Sequence, residues 1–351
     1  MPHPPIARPS RDRPETPDES NQPELAARAR QADAFGAGVP STGDQGVGWG
    51  GDRGGATAGP PLDVSQLTAR DLAVLRQLVQ LRLLRYDQLH RIAFAAVDRS
   101  IARRRIRHLA RGGWLSTWEA PSRRGGHARY AHPTAGAIRV LLPTLVPDAP
   151  WAPLVAGMLP RFARRPLELE TGTPKWLPHQ REVNHLVASA VTSPARRILW
   201  ASSWDCPFPA RSGAFTMPQP DYVLVEEVRG TPRLIFGEHD RGSEPLERFV
   251  ARKVALYSAL AAFPEVCAQR FGIAAFRVHV SVVDPFRRAP IARLRALLVA
   301  TRMAERADVF RFTLGGWLSA QPAGSIWFRA EQAPATDSPA WDANRLDVCD
   351  D

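Results

Sequence analysis

The sequence predicts an α/β protein in two folded parts: three helices with a β-hairpin, then a mixed sheet flanked by helices. Three observations carry this. Apolar residues recur at helical spacing across residues 67–111, and two strand-like stretches follow around a basic Gly-Gly turn. Beyond residue 178, helix and strand patterns alternate in the order α-β-β-β-α-β-α-β. Polar stretches rich in Pro and Gly separate and flank the two regions. A chain of 351 residues is long enough for two domains plus tails.

Residues 1–66 are rich in Pro, Gly, Asp and Ser with no apolar period, and read as a disordered leader. The first helix begins in "LTARDLAVLRQLVQLRLL", where Thr68 and Asp71 form a start signal and Leu72, Leu75 and Val79 share a face. "RYDQLHRIAF" supplies a short second helix. "DRSIARRRIRHLARGG" supplies the third, with Asp98 or Ser100 as cap and Gly112-Gly113 as stop. "WLSTWEAPSRRGGHARYAHPTAGAIRVLL" gives two strands and a further short helix. Three helices followed by a two-stranded wing describe a winged helix over residues 67–141.

A Pro-rich connection spans residues 142–178. The second domain, residues 179–315, opens with a helix in "HQREVNHLVASAV" and the strand "RRILWASSW". The loop "DCPFPARSGAFTMPQP" leads to a hairpin, "PDYVLVEEVRGTPRLIFGEHDRG". The helix "SEPLERFVARKVALYSALAAF", the strand "FRVHVSVVD", the helix "PIARLRALLVATRMAERA" and the strand "VFRFTLGG" complete it. Residues 331–351 read as a polar, acidic tail.

Charge is concentrated in one region. Residues 67–141 hold 15 Arg against 4 acids, a local excess equal to the +11 of the whole chain. Such a field suits a polyanion, and double-stranded DNA is the expected partner. Only Lys175 and Lys253 are lysines, against 44 arginines, so arginine alone is a weak signal and the two lysines are informative. No run of 18 apolar residues and no secretory signal is present, which points to a cytoplasmic protein without a membrane partner. Cys206, Cys267 and Cys349 are too few and scattered for a disulfide framework or a zinc site.

The third helix carries Arg99, Arg103, Arg107 and Arg111 at steps of four, with Arg104, Arg105 and His108 beside them. Ala102, Ile106 and Leu109 face the core. A helix divided in this way can enter a major groove, and Arg123, Arg124 and Arg129 of the wing can meet an adjacent backbone.

The hairpin raises a second possibility. In the strand "RLIFGEHD", alternation directs Leu234, Phe236, Glu238 and Asp240 to one face, with Asp221 opening the partner strand. These acids suit Mg²⁺ or Mn²⁺, which take oxygen ligands and activate water. Lys253 shares a helix face with Leu246 and Tyr257, where a lysine needs a carboxylate partner. Glu182, at the edge of an apolar face bearing His179, can add a fourth acid. His239 alternates to the other face and is not expected as a ligand, while His179 reads as a buried hydrogen-bonding residue. Trp176, Trp200 and Trp204 read as core or loop anchors.

Glu182 on a helix, Asp221 on a strand and Glu238 on the next strand resemble the PD-(D/E)XK nuclease core. Across residues 67–315 the chain resembles the bacterial replication-relaxation family more closely, through Pro220-Asp221, Glu238-His239-Asp240-Arg241, "RRRIRHLARGGWL" and their order. The resemblance implies work on plasmid or mobile-element DNA, in replication, relaxation or mobilisation, with other proteins of those processes as partners. The nuclease resemblance implies metal ligation by Asp221, Glu238, Asp240 and Glu182, with Asp221, Glu238 and Lys253 as the catalytic group. One departure stands out: Asp240 occupies the place of the motif lysine, and Lys253 can restore that charge from the helix. Three readings stay open: a nuclease site, an inactive nuclease-like scaffold, or solvated strand-end acids. A non-catalytic accessory factor or transcriptional regulator is the rival to an enzyme.

Overall fold

The computed structural model describes residues 62–121, 127–164, 176–203, 211–212, 215–283, 290–316 and 327–330. The acidic tail, Arg123, Arg124, Trp204, Cys206, Cys349 and the leader up to residue 61 lie outside the described residues. The last part of the expected leader forms a short 3-10 turn, Val64–Gln66, capped by Asp63.

The first part follows the sequence closely. Helix α1 (Ala69–Leu81) starts at a capping box: Thr68 Oγ1 accepts from the Asp71 amide, and Asp71 returns a carboxylate oxygen to the Thr68 amide. Strand β1 (Leu84–Arg85), α2 (Tyr86–Ala93) and α3 (Arg99–Arg111) follow, the last capped by Asp98. Strands β2 (Leu115–Pro121) and β3 (His127–Pro133) form a hairpin, and β1 joins its β3 edge to give a three-stranded antiparallel sheet. Leu75, Leu78, Ile106 and Leu109 close the core beneath these elements. Each such fully buried side chain stabilises the fold by about 1.5–3 kcal/mol.

The expected connection is more structured than its prolines suggest. After α4 (Ala135–Leu141), helix α5 (Ala152–Arg164) occupies residues read as linker, despite Pro153 and Pro160. Its approach packs on Gly272, which has φ 71°, and a Cβ there would meet the Pro150 carbonyl oxygen at 1.6 Å.

The second part contains α6 (Leu177–Val191), β4 (Arg197–Ser202), the short pair β5 (Arg211–Ser212) and β6 (Phe215–Thr216), β7 (Tyr222–Val228) and β8 (Thr231–Asp240). Helix α7 (Leu246–Phe249) continues through a π-helical turn, Val250–Val254, into α8 (Ala255–Ala261). A separate helix, α9 (Pro264–Phe271), precedes β9 (Phe276–Val282), α10 (Pro290–Arg302), β10 (Phe310–Leu314) and β11 (Phe328–Arg329). The expected mixed sheet is observed, in the order β11-β10-β9-β8-β7-β4. Its β8-β9 and β9-β10 pairs are parallel and the others antiparallel. The α/β class expected from the sequence is therefore the one observed.

The described residues make one compact unit, with one apolar cluster running from α1 to the sheet. A buried polar joint links the two sequence regions. Asn184 Nδ2 on α6 donates to the carbonyls of Leu81 and Leu83, and Ser202 Oγ donates to the Gln80 carbonyl at 2.9 Å. These side chains satisfy carbonyls that the end of α1 leaves without helical partners. Between Leu81 and Leu83, Arg82 holds φ 64° and lays its guanidinium 4.4 Å from the Trp176 ring.

Candidate functional site

Two surfaces carry the residues singled out in the sequence. On α3, Ala102, Ile106 and Leu109 are buried, which turns Arg99, Arg103, Arg104, Arg107 and Arg111 to the solvent. Among the described residues, none of these five arginines forms an ion pair. Arg105 departs from the expected basic flank. Its Nε donates to Asp71 Oδ1 at 2.5 Å, and its Nη2 pairs with the other oxygen of that buried acid. Burial pushes the Asp71 carboxyl up, but Arg105 and Thr68 outweigh it and hold the group below the usual carboxylate value. Arg105 ties α3 to the start of α1. Arg129, exposed on β3, faces Glu119 across the hairpin at 2.6 Å.

The second surface lies at one end of the large sheet. Tyr222 opens β7 opposite Gly237 of β8, and the tyrosine ring fills the space of the missing side chain: a Cβ on Gly237 would meet it at 2.0 Å. Just before β7, the Asp221 amide donates to the Gly237 carbonyl at 2.8 Å. Asp221 Oδ2 accepts from the His239 amide at 2.7 Å, and Oδ1 lies 3.0 Å from His179 Nε2. Burial pushes Asp221 up, yet His179, the Lys253 charge and the His239 amide together hold it below the usual carboxylate value.

Alternation along β8 does what the sequence predicts. Glu238 and Asp240 address the helices on one side of the sheet, and His239 addresses α6 on the other. Glu238 is 2% exposed. Its Oε2 pairs with Lys253 Nζ at 2.8 Å, and its Oε1 accepts from Tyr257 Oη at 2.6 Å. Lys253 also donates to the Gln219 carbonyl at 2.6 Å. Burial and the Asp221 charge push Glu238 up to about 7, against the pull of Lys253 and Tyr257. Burial pulls Lys253 down, but Glu238 and Asp221 outweigh it and raise its value. Lys253 lies within the π-helical turn, a local widening often found at functional positions. Lys253 thus pairs directly with Glu238, while Asp221 bears on both through its charge.

The other two acids are directed elsewhere. Asp240, although on the face of Glu238, takes Arg293 Nε of α10 at 2.7 Å and the Gly242 amide at 3.0 Å. Glu182 lies on the α6 side, 3.2 Å from His239 Nε2 and 3.1 Å from Arg241 Nε. The four acids therefore do not converge on one point, and among the described residues no three His, Cys, Asp or Glu are placed to hold a metal ion. Of the four, Asp221 and Glu238 are the pair whose charges bear on one another.

The family described as replication-relaxation matches residues 75–274, more than half of the chain. The chain belongs to the replication-relaxation family. No curated protein and no solved structure matches it. Membership supports a role in replication or relaxation. Both surfaces of this replication-relaxation protein fall inside the matched region, from the α3 arginines to Lys253. Among its described residues, no helix is long and apolar enough to cross a membrane.

His179 and His239 were the residues that sequence reasoning undervalued. His179 is 30% exposed at its side chain and sits on Asp221, not in the core. His239 is buried, with Nδ1 2.9 Å from Ser281 Oγ, and its ring lies 5.4 Å from that of His179. The available signal was His179 one turn of α6 before Glu182 and adjoining the same apolar face.

Proposed function

We infer that the protein binds double-stranded DNA in replication or relaxation of plasmid or mobile-element DNA, through the exposed face of α3. The observation that carries this reading is the arginine row on α3 with no carboxylate partner among the described residues. The helix-strand-helix-helix-strand-strand order around it supports the winged-helix reading. Arginines of this kind meet phosphates and give affinity that falls steeply with salt. The Arg103→Ala/Arg107→Ala double variant should lose about 10–100-fold in duplex affinity, read by fluorescence anisotropy at fixed salt. Its helical content should be unchanged, because both side chains are exposed. Unaltered affinity would remove α3 as the contact surface.

A second reading, divalent-metal-dependent nicking, rests on the Glu238–Lys253 pair and on the Asp221 charge that bears on it. Asp221 and Glu238 have the oxygen chemistry for Mg²⁺ or Mn²⁺, and a metal would have to displace His179, the His239 amide, Lys253 or Tyr257 from them; Asp240 and Glu182 are committed to Arg293, Arg241 and His239. A divalent ion held by Asp221 and Glu238 would supply water activation and charge neutralisation at a phosphodiester. Lys253 would then leave Glu238 to offset charge on the phosphate. The rival is an accessory factor in which Lys253 simply keeps Glu238 neutralised. Supercoiled plasmid incubated with Mg²⁺, Mn²⁺ or chelator separates them. Nicking by wild type with metal, falling at least 100-fold in Asp221→Ala, is the expected result for an enzyme. Retarded but intact plasmid would leave the accessory role.

A further inference from the structure

The exposed face of the hairpin carries a second group of polar residues beside α3, and strand register explains how it forms. Strand β1 pairs with β3 through Leu84↔Ala131 and Arg85↔Tyr130. On the other side of β3, Arg129 is paired with Glu119 of β2. Arg129 and Glu119 thus pair across the hairpin, and Tyr86 follows the end of the β1 ladder on the Arg129 side, at the start of α2. Thr117, two residues before Glu119, is exposed on the same side of β2 and bears on the Tyr86 hydroxyl. Tyr86 is half-buried at the start of α2, and the charges of Arg129 and Arg107 both bear on its hydroxyl. Arg107 is exposed on α3. Arg129 of the hairpin and Arg107 of α3 therefore bring positive charge from two elements to one phenol.

We propose that Tyr86, Arg107 and Arg129 form a seat for one backbone phosphate of duplex DNA, and that Glu119 competes with that phosphate for Arg129. The proposal rests on the DNA-binding reading above and adds to it a defined contact and an opposing residue. A phosphate between the two arginines gains charge-assisted hydrogen bonds from both. The phenol is an additional neutral donor, and its half-buried ring limits the side-chain entropy lost on binding. The Arg129–Glu119 pair is more than half exposed on the arginine and half exposed on the acid, and exchanging it for a phosphate costs little. Among the described residues, Glu119 is the carboxylate paired with Arg129, which makes the competition specific.

Fluorescence anisotropy of a labelled duplex, measured across a salt series, tests this on the full chain. Arg107→Ala and Arg129→Ala should each lower the slope of log K against log salt by about 0.9, the value for one phosphate contact. Tyr86→Phe keeps the ring and should weaken binding about threefold without changing the slope. Glu119→Gln should tighten binding about twofold, and that gain should vanish in the Glu119→Gln/Arg129→Ala double variant. Duplex binding by wild type with an unchanged slope in Arg129→Ala would overturn the seat while leaving the α3 reading intact. Equal affinity of Glu119→Gln and wild type would overturn the competition. Absence of salt-sensitive duplex binding by wild type would overturn both readings, starting with the first.

Discussion

Lys253→Ala is expected to destabilise the protein by about 3–5 kcal/mol at pH 8 and by about 1 kcal/mol less at pH 5.5. In the native protein the ammonium sits 2.8 Å from Glu238, whose side chain is almost fully buried. Without it, Glu238 keeps the Tyr257 hydroxyl but loses the adjacent cation, and the nearby Asp221 charge remains. A buried carboxylate in that position lowers its cost by taking up a proton. Burial already pushes Glu238 up to about 7, and removing Lys253 moves it higher still. The sign follows from proton binding: between the unfolded value and the raised folded value, the native state holds a proton that the unfolded chain releases. Stability from this group is therefore full at low pH and falls as pH rises through about 7. In the variant that fall extends further upward, so the gap to wild type widens with pH. Urea unfolding at several pH values measures the gap. Glu238→Gln combined with Lys253→Ala should remove most of its pH dependence; a gap that is constant from pH 5.5 to 8 would refute the account.

Local signals in the sequence were the legible ones. Thr68 and Asp71 announce a capping box because the motif is complete within four residues. Strand alternation correctly separated Glu238 and Asp240 from His239, since side chains along a strand must take opposite faces. Lys253 on an apolar helix face was informative for a similar reason: a buried cation needs a partner, and the carboxylates at the sheet end were available.

What alternation leaves open is the identity of the partner. Asp240 shares a face with Glu238, yet it lies two residues further along β8, where Arg293 of α10 reaches it first. That pairing depends on how a helix some fifty residues later packs, which no local pattern encodes. Glu182 is separated from Glu238 by the sheet itself. Helix α5 was hidden because Pro153, Gly157 and Pro160 depress its apparent helical propensity, while Leu154, Val155 and Met158 are fully buried. The π-helical turn around Lys253 is also invisible to a period of 3.6 residues.

Asn184→Ala should have the other large effect, a loss of about 2–4 kcal/mol that reaches both surfaces. Asn184 is 1% exposed, and its amide nitrogen serves the Leu81 and Leu83 carbonyls at the end of α1. Its oxygen accepts from Gln180 Nε2 at 3.0 Å and from the Ser203 hydroxyl. Alanine removes all four contacts and adds no group to satisfy what remains. Ser203 still reaches the Leu81 carbonyl at 3.3 Å, so the unmet requirement falls chiefly on Leu83. That carbonyl lies beside Arg82, already held at φ 64°, where a non-glycine backbone is unfavourable unless its surroundings enforce it. Asn184 and the Arg82–Trp176 stack supply such enforcement. Helix α6 carries His179 and Glu182 to the sheet end while Asn184 grips α1, so loosening this grip disturbs the geometry between the first three helices and the acidic sheet end. Wild type should unfold in one urea transition, as expected for the described residues packed as one unit. Asn184→Ala should lower the midpoint and, if the joint is the main tie, separate the far-ultraviolet signal from tryptophan fluorescence. A midpoint within about 0.5 kcal/mol of wild type would show that the apolar cluster alone holds the two regions together.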